Sequence, residues 1–450
     1  MNAPFVAHTD AEIAEMLGVL GLEDLDGLFG EIPEALRLRG GLDLPPAMSE
    51  PDVAWRLEEL AARNRPCGRD LVCFAGAGSY DHEIPAVVKA IASRSEFVTA
   101  YTPYQPEVSQ GVLQAIFEYQ TMIARLSGLD VANASLYDGA ASLVEAVNLA
   151  VVATNQRRVL CSQGVHPHWR RQLETFARGS GNEIGTVPLS GGVTAWDKVG
   201  DEGPSGAVVV AAPNFLGCLE DIAAARRVAD RLGARLIVCF DPVSVGLLQT
   251  PGSLGADVVV GEGQPFGTAL GFGGPYLGLF ACRLQDVRRI PGRIVGETVD
   301  TGGRHAYVMT LRAREQDIRR ERASSNVCTN QTLLAVTAAV HLSWLGPQGL
   351  REVALRCARA TRYTREALCS INGVQLVTTA PVLCEFALRT PLEPEKLVER
   401  LVEDGYLAGV PIRAGFDDTE YEGGLLVAAT ERRTRAEIDG FAAAFAKAVR

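Results

Sequence analysis

Residues 257–278 read DVVVGEGQPFGTALGFGGPYLG: an unbroken apolar run, a short polar step and a glycine-rich turn. Continuous rather than alternating apolarity implies a strand buried on both faces, as in a sheet covered by helices. Working outward, 235–240 (RLIVCF), 206–212 (GAVVVAA) and 157–161 (RRVLC) have the same character. Helical patterns fill the spaces between and before them, over 107–127, 139–154 and 219–232. Gly128 and Gly233 stand just past two of these, where a glycine is the ordinary helix stop. Strands alternating with helices of this length imply right-handed crossovers and a mainly parallel sheet.

The flanks differ from this centre. Residues 10–62 are acidic and leucine-rich, broken by Gly30, Gly40, Gly41 and the Pro45-Pro46 pair, which suits a helical arm. Beyond 330, a helical segment (332–345) leads to strand-like 374–378 and 382–388 and a helix over 394–404, an α+β pattern. A chain of 450 residues exceeds the size at which one core keeps growing. The expected division is an arm over 1–65, a large domain over 66–325 and a small α+β domain over 326–450.

Composition excludes several classes of function. A net charge of −11 argues against non-specific binding to nucleic acid or an anionic membrane surface. No apolar run approaches membrane-spanning length, and the first residues lack a basic region followed by an apolar one. The ten cysteines form no C-x-x-C pair and several sit in apolar strands, so they read as reduced, buried side chains. A soluble cytoplasmic protein with small-molecule or protein partners is expected.

Candidate chemistry gathers at the strand ends. Residues 132–148 run from a small-residue strand into Asp138-Gly139 and a helix, whose free N–H groups could hold a phosphate. An aspartate cap on the helix explains the same residues without a ligand. Asp241 closes the 235–240 strand and could pair with a pyridinium nitrogen, as in aminotransferase-type folds. In such folds the end of the 257–260 strand carries a Schiff-base lysine, but this chain has Gly263-Gln264-Pro265. Only Lys89, Lys198, Lys396 and Lys447 occur, and 39 of the 43 basic residues are arginine. A coding bias could thin lysine everywhere, yet arginine stays protonated and cannot replace a Schiff-base amine. Gly271, Gly273 and Gly274 suit a tight turn at least as well as a ligand contact.

Other motifs fail. FAGAGS (74–79) opens as G-x-G, but Asp81 stands where the third glycine belongs, so no dinucleotide fingerprint is met. His82 beside Asp81 reads as a turn residue that could also serve a site. His166 and His168 are close in sequence without a matching ligand set, and no metal is expected. Two polar stretches remain. Residues 100–110 (AYTPYQPEVSQ) combine tyrosines and prolines in the manner of a rigid binding loop. Residues 311–331 carry Arg312, Arg314, Arg319, Arg320 and Arg322 beside Glu315, Asp317 and Glu321, read as an ion-paired helix face with a polar, interfacial tail from Ser324.

Residues 100–122, 130–139, 257–278 and 319–331 closely resemble the glycine dehydrogenase (decarboxylating) family, the P-protein of the glycine cleavage system, over about 10–445. Length and the lysine gap fit subunit 1, the alpha chain of the split, two-chain form. The resemblance implies an aminotransferase-like α/β fold of the pyridoxal-phosphate-dependent type I class. It puts Gln264 at the position of the family's cofactor lysine and Gly263 at that of the preceding histidine. It therefore implies no catalytic residue in this chain. Asp138, Gly139 and Asp241 would be vestiges of a cofactor site; Tyr101, Thr102, Tyr104, Gln105, His82 and Asn326 would shape a substrate or interface cleft. The implied partners are a beta chain (subunit 2) that binds pyridoxal phosphate covalently, in an α2β2 heterotetramer, and a lipoylated H-protein that receives the aminomethyl group of decarboxylated glycine. The alternative is a self-sufficient pyridoxal-fold protein, or a pseudoenzyme, that binds its ligand non-covalently.

Overall fold

The computed structural model describes residues 7–38, 40–200, 203–323, 325–413, 416 and 419–450, so the start of the arm and Ser324 lie outside the described residues. The chain divides into two compact units, Met1–Arg65 and Pro66–Arg450. In the first, helix Asp10–Leu20 opens on a Thr9 capping box with Glu12 and stops at left-handed Gly21. Helix Glu50–Ala61 follows two short helical turns. Leu17 alone is buried among the described residues of this unit, while Val19, Leu36, Leu42 and Trp55 are exposed.

The second unit is built on a seven-stranded sheet. Its strands are β1 (Val131–Ala132), β2 (Arg158–Ser162), β3 (Glu183–Val187), β4 (Ala207–Ala212), β5 (Arg235–Phe240), β6 (Val258–Glu262) and β7 (Gly278–Cys282). They lie in the order β1-β7-β6-β5-β4-β2-β3. Pairings from β6 through β3 are parallel, and β7 is antiparallel to both neighbours. The link from β6 to β7 is the glycine turn with no crossover helix, so the chain can only return antiparallel. The apolar runs are unbroken because both faces are covered. Val208 and Val210 pack into one core with helix Ile222–Leu232, and Val209 and Ala211 into the other with helix Gly139–Thr154. This is the α/β, aminotransferase-like architecture expected from the sequence.

A second, antiparallel sheet joins Gln375–Leu376, Glu385–Arg389, Leu425–Ala428 and Val410–Pro411. Helices Pro394–Glu403 and Arg435–Ala448 cover it, burying Leu397, Leu401, Phe441 and Phe445. The helix read over 332–345 continues to Cys369, broken at Gly346, whose φ of 59° and ψ of −179° are not helical, ahead of Pro347. The arginine-rich segment is no helix face: it forms short turns at Arg312–Arg314, Gln316–Arg319 and Arg320–Arg322. Among the described residues, no helix is long and apolar enough to cross a membrane.

Candidate functional site

The carboxyl ends of β4, β5 and β6 open on a crevice of two adjoining lobes that share Gly78, His166, Trp169, Phe215 and Glu262. The larger lobe encloses about 510 Å³. Ligands bind at this end of open α/β sheets, because the loops there diverge and leave space. Asp241 and Glu262, the residues that follow or end β5 and β6, face the cavity with Glu385 from the second sheet.

Gln264 does not line it. Its side chain is 2% exposed. Nε2 donates to the carbonyls of Tyr80 at 3.0 Å and Thr268 at 2.8 Å, and Oε1 accepts from the Tyr80 N–H at 3.0 Å. The amide thus does work no amine could: lysine has donors and no acceptor. Gly263 is constrained as well, since a Cβ there would lie 2.8 Å from Leu277 Cδ2 and 2.9 Å from Leu279 Cδ2. The space a histidine ring would need is filled by two leucines.

The helix start next to it is occupied in the same way. Asp138 Oδ1 accepts from the Ala141 N–H at 2.6 Å. Glu262 Oε2 accepts from the Gly139 N–H at 3.0 Å, and its Oε1 accepts from the N–H groups of Gln264 at 3.0 Å and Leu277 at 2.8 Å. A protein carboxylate therefore stands where a phosphate would use the helix N-terminus. Burial pushes Glu262 up to about 7, and Glu385 likewise to about 7, although Glu385 accepts from the Ala77 N–H at 2.6 Å and the Tyr80 hydroxyl at 3.0 Å. Burial also raises Asp241, whose Oδ1 accepts from the Val243 N–H at 2.9 Å. His166 bonds through Nε2 to the Ala77 carbonyl at 3.0 Å and is held down to about 4 by burial, so it stays neutral.

These residues do not fit pyridoxal phosphate held as a lysine Schiff base. The amine is absent, two amides at the helix start, those of Gly139 and Ala141, are engaged by carboxylates, and three carboxyl groups surround the space an anion would enter. Asp138, Gly139 and Asp241 do come together here. Glu262, Glu385 and Tyr80 were not singled out from the sequence, yet 382–388 (VLCEFAL) carries a signal: a glutamate inside an apolar strand must be buried and partnered.

The remaining candidates lie elsewhere. His82 is buried rather than a surface turn residue, with Nδ1 2.8 Å from Glu431 Oε2. Thr102 and Tyr104 are gathered by Arg293, which is 5% exposed. Its guanidinium donates to Tyr104 Oη at 3.1 Å, Asn330 Oδ1 at 3.2 Å, the Cys328 carbonyl at 3.0 Å and, more weakly, Thr102 Oγ1 at 3.4 Å. Tyr101 is 79% exposed, and Gln105 and Asn326 are exposed as well. None of the four residues of the 101–105 set lines the crevice.

The model of the family described as glycine cleavage system P-protein matches residues 3–445. A probable glycine dehydrogenase (decarboxylating) subunit 1 of Chlorobium chlorochromatii is 46% identical over 98% of this chain and 98% of its own length. One from Chlorobium phaeobacteroides is 48% identical over 97% and 98%. A crystal structure of glycine decarboxylase (P-protein) of the glycine cleavage system, in inhibitor-bound form, is 45% identical and superposes with a TM-score of 0.92 over 99% of this chain and 100% of that one. Glutamate decarboxylase of Lactobacillus brevis, 14% identical with a TM-score of 0.67, shares the fold alone. The chain belongs to the glycine cleavage system P-protein family.

Proposed function

We propose that this chain is the lysine-lacking subunit 1 of a two-chain, cytoplasmic glycine decarboxylase. The observation that carries the reading is Gln264, whose amide is fully engaged with Tyr80 and Thr268 where the family's lysine would stand. The full-length kinship with chains named subunit 1 supports it. In this reading a beta chain (subunit 2) binds pyridoxal phosphate covalently and assembles with this one as an α2β2 heterotetramer. The cofactor stabilises the carbanion left when glycine loses CO2, and the aminomethyl group passes to the lipoyl arm of an H-protein.

No step of that chemistry runs through the crevice of this chain. Its contribution lies at Tyr101, Thr102, Tyr104 and Gln105, whose inner edge is fixed by Arg293, and at the exposed Asn326; these shape the cleft used by the partner. The division at 65/66 and 325/326 belongs to the same proposal. A self-sufficient protein holding the cofactor non-covalently is not favoured, because Glu262 and Asp138 already take two of the amides a phosphate would use, those of Gly139 and Ala141. The test is exchange of labelled bicarbonate into glycine. The purified chain with pyridoxal phosphate and H-protein should give none, and co-expression with subunit 2 should restore it. Exchange by the isolated chain would refute the proposal.

A further inference from the structure

A second cluster lies apart from the crevice, where three distant segments meet. His82 precedes helix Ala86–Ala92, Cys357 sits on the long helix Thr332–Cys369, and Glu431 follows strand Leu425–Ala428. One ligand atom from each lies within 4.8 Å of the others, the one such group among the described residues. Glu431 Oε2 is 2.8 Å from His82 Nδ1 and 3.2 Å from Cys357 Sγ. Tetrahedral zinc, with bonds of about 2.0–2.3 Å, spaces its donors by roughly 3.3–3.8 Å, so the two pairs that share Glu431 need open by only a few tenths of an ångström to admit the ion. His82 and Cys357 are buried.

An independent observation points to the same place. His341 is 4% exposed, and its Nδ1 has no hydrogen-bond partner. It lines a cavity of about 280 Å³ together with His82 and Glu431. A buried imidazole nitrogen left without a partner is costly and calls for a ligand. The cavity also supplies a route of entry.

We propose that His82, Cys357 and Glu431 form a site for a divalent metal of the zinc class, and that His341, which lies outside this three-residue group but lines the same cavity, swings in as the fourth donor. One thiolate, two imidazoles and one carboxylate suit zinc or cobalt rather than magnesium or calcium, which prefer oxygen. The Glu83 N–H, 2.7 Å from Glu431 Oε1, orients the carboxylate from outside the ligand set. Asp81 is held by Arg432 and Arg433, which fixes the flanking chain. Four protein donors leave no open position, so the metal is structural: it staples the 80–83 loop to the long helix and the small sheet. Binding releases the Cys357 thiol proton and a His82 ring proton to solvent.

The test uses the full-length chain, stripped with a chelator and titrated with Co²⁺. A thiolate-to-cobalt charge-transfer band should grow to saturation at a single equivalent, and Zn²⁺ should raise Tm. Cys357→Ser should abolish the band, while Cys328→Ser, at an exposed cysteine, should leave it. His341→Ala and Glu431→Gln keep the thiolate and should weaken cobalt binding by at least about tenfold; they carry the test if Cys357→Ser does not fold. Absence of the band in the unaltered chain, its survival in Cys357→Ser, or unchanged affinity in both His341→Ala and Glu431→Gln would overturn the proposal.

Discussion

In the strand-end crevice, the groups that could receive a ligand are bonded to the chain itself; in the 100–110 loop, large side chains are left facing outward. Glu262 accepts three backbone N–H groups, Glu385 one N–H and one hydroxyl, and Gln264 makes three bonds to two residues. By contrast Tyr101, Tyr104 and Val108 are exposed, and Arg293 secures the inner edge of the loop. The one region is closed by its own hydrogen bonds, and the other leaves its side chains open to contact. On the proposed reading, an amide at the lysine's position makes a hydrogen-bonded joint of it, and the loop is left to address the partner.

The sharpest way to break this contrast is Gln264→Lys. The substitution removes the acceptor of the Tyr80 N–H and places an ammonium at a site closed to water. Urea unfolding should show a loss of about 4 kcal/mol, the sum of an orphaned donor and a buried, poorly paired charge. Added pyridoxal phosphate should give no visible lysine-adduct band. A stable variant that acquires the band would show a crevice still shaped for the cofactor.

A smaller effect tests the carboxyl groups. Glu262 and Glu385 hold their protons up to about 7 in the fold, whereas an unfolded glutamate loses its proton near 4.5. Between those values the folded chain binds more protons than the unfolded chain, so stability must fall as pH rises through the window. Each group contributes on the order of 2 kcal/mol to that fall. In Glu262→Gln and Glu385→Gln the slope of unfolding free energy between pH 4.5 and 7 should flatten. The slope is the proper readout, because an amide at 262 also disturbs three N–H contacts. An unchanged slope would mean that water or a bound cation already neutralises the crevice.

The fold was legible where burial acts on contiguous residues. β5 runs from Arg235 to Phe240 as read, because both its faces are covered and its apolar run has sharp ends. Helix Gly139–Thr154 was legible to the residue, since Asp138 caps it and small side chains continue it. The hairpin Ile294–Val299 with His305–Thr310 was missed, for its strands mix polar and apolar residues and are mostly exposed or half-buried. Helix Pro167–Ser180 was hidden by its charged surface, and Gly346-Pro347 read as an end rather than a break. At the site, Gln264 and Asp241 were visible because strand ends mark their places. Glu385 and Glu431 were not, since they reach Tyr80 and His82 across 305 and 349 residues of chain, and no local pattern encodes such pairings.

The smallest effect on the isolated chain, and the most telling, belongs to Tyr101→Ala. The side chain is exposed, so truncating it removes little packing and should move the unfolding free energy by no more than about 0.5 kcal/mol. If the loop addresses the partner, the same change should weaken assembly with subunit 2 by about 2 kcal/mol, roughly thirtyfold in Kd, as expected for a tyrosine anchor at an interface. Sedimentation of the mixed subunits reads the second quantity and thermal unfolding of the single chain the first. A variant that assembles normally but lowers bicarbonate exchange would place Tyr101 at the cleft rather than at the subunit contact. One that changes neither would confine the outward role to Tyr104 and Thr102, the two members of the loop that Arg293 holds in place.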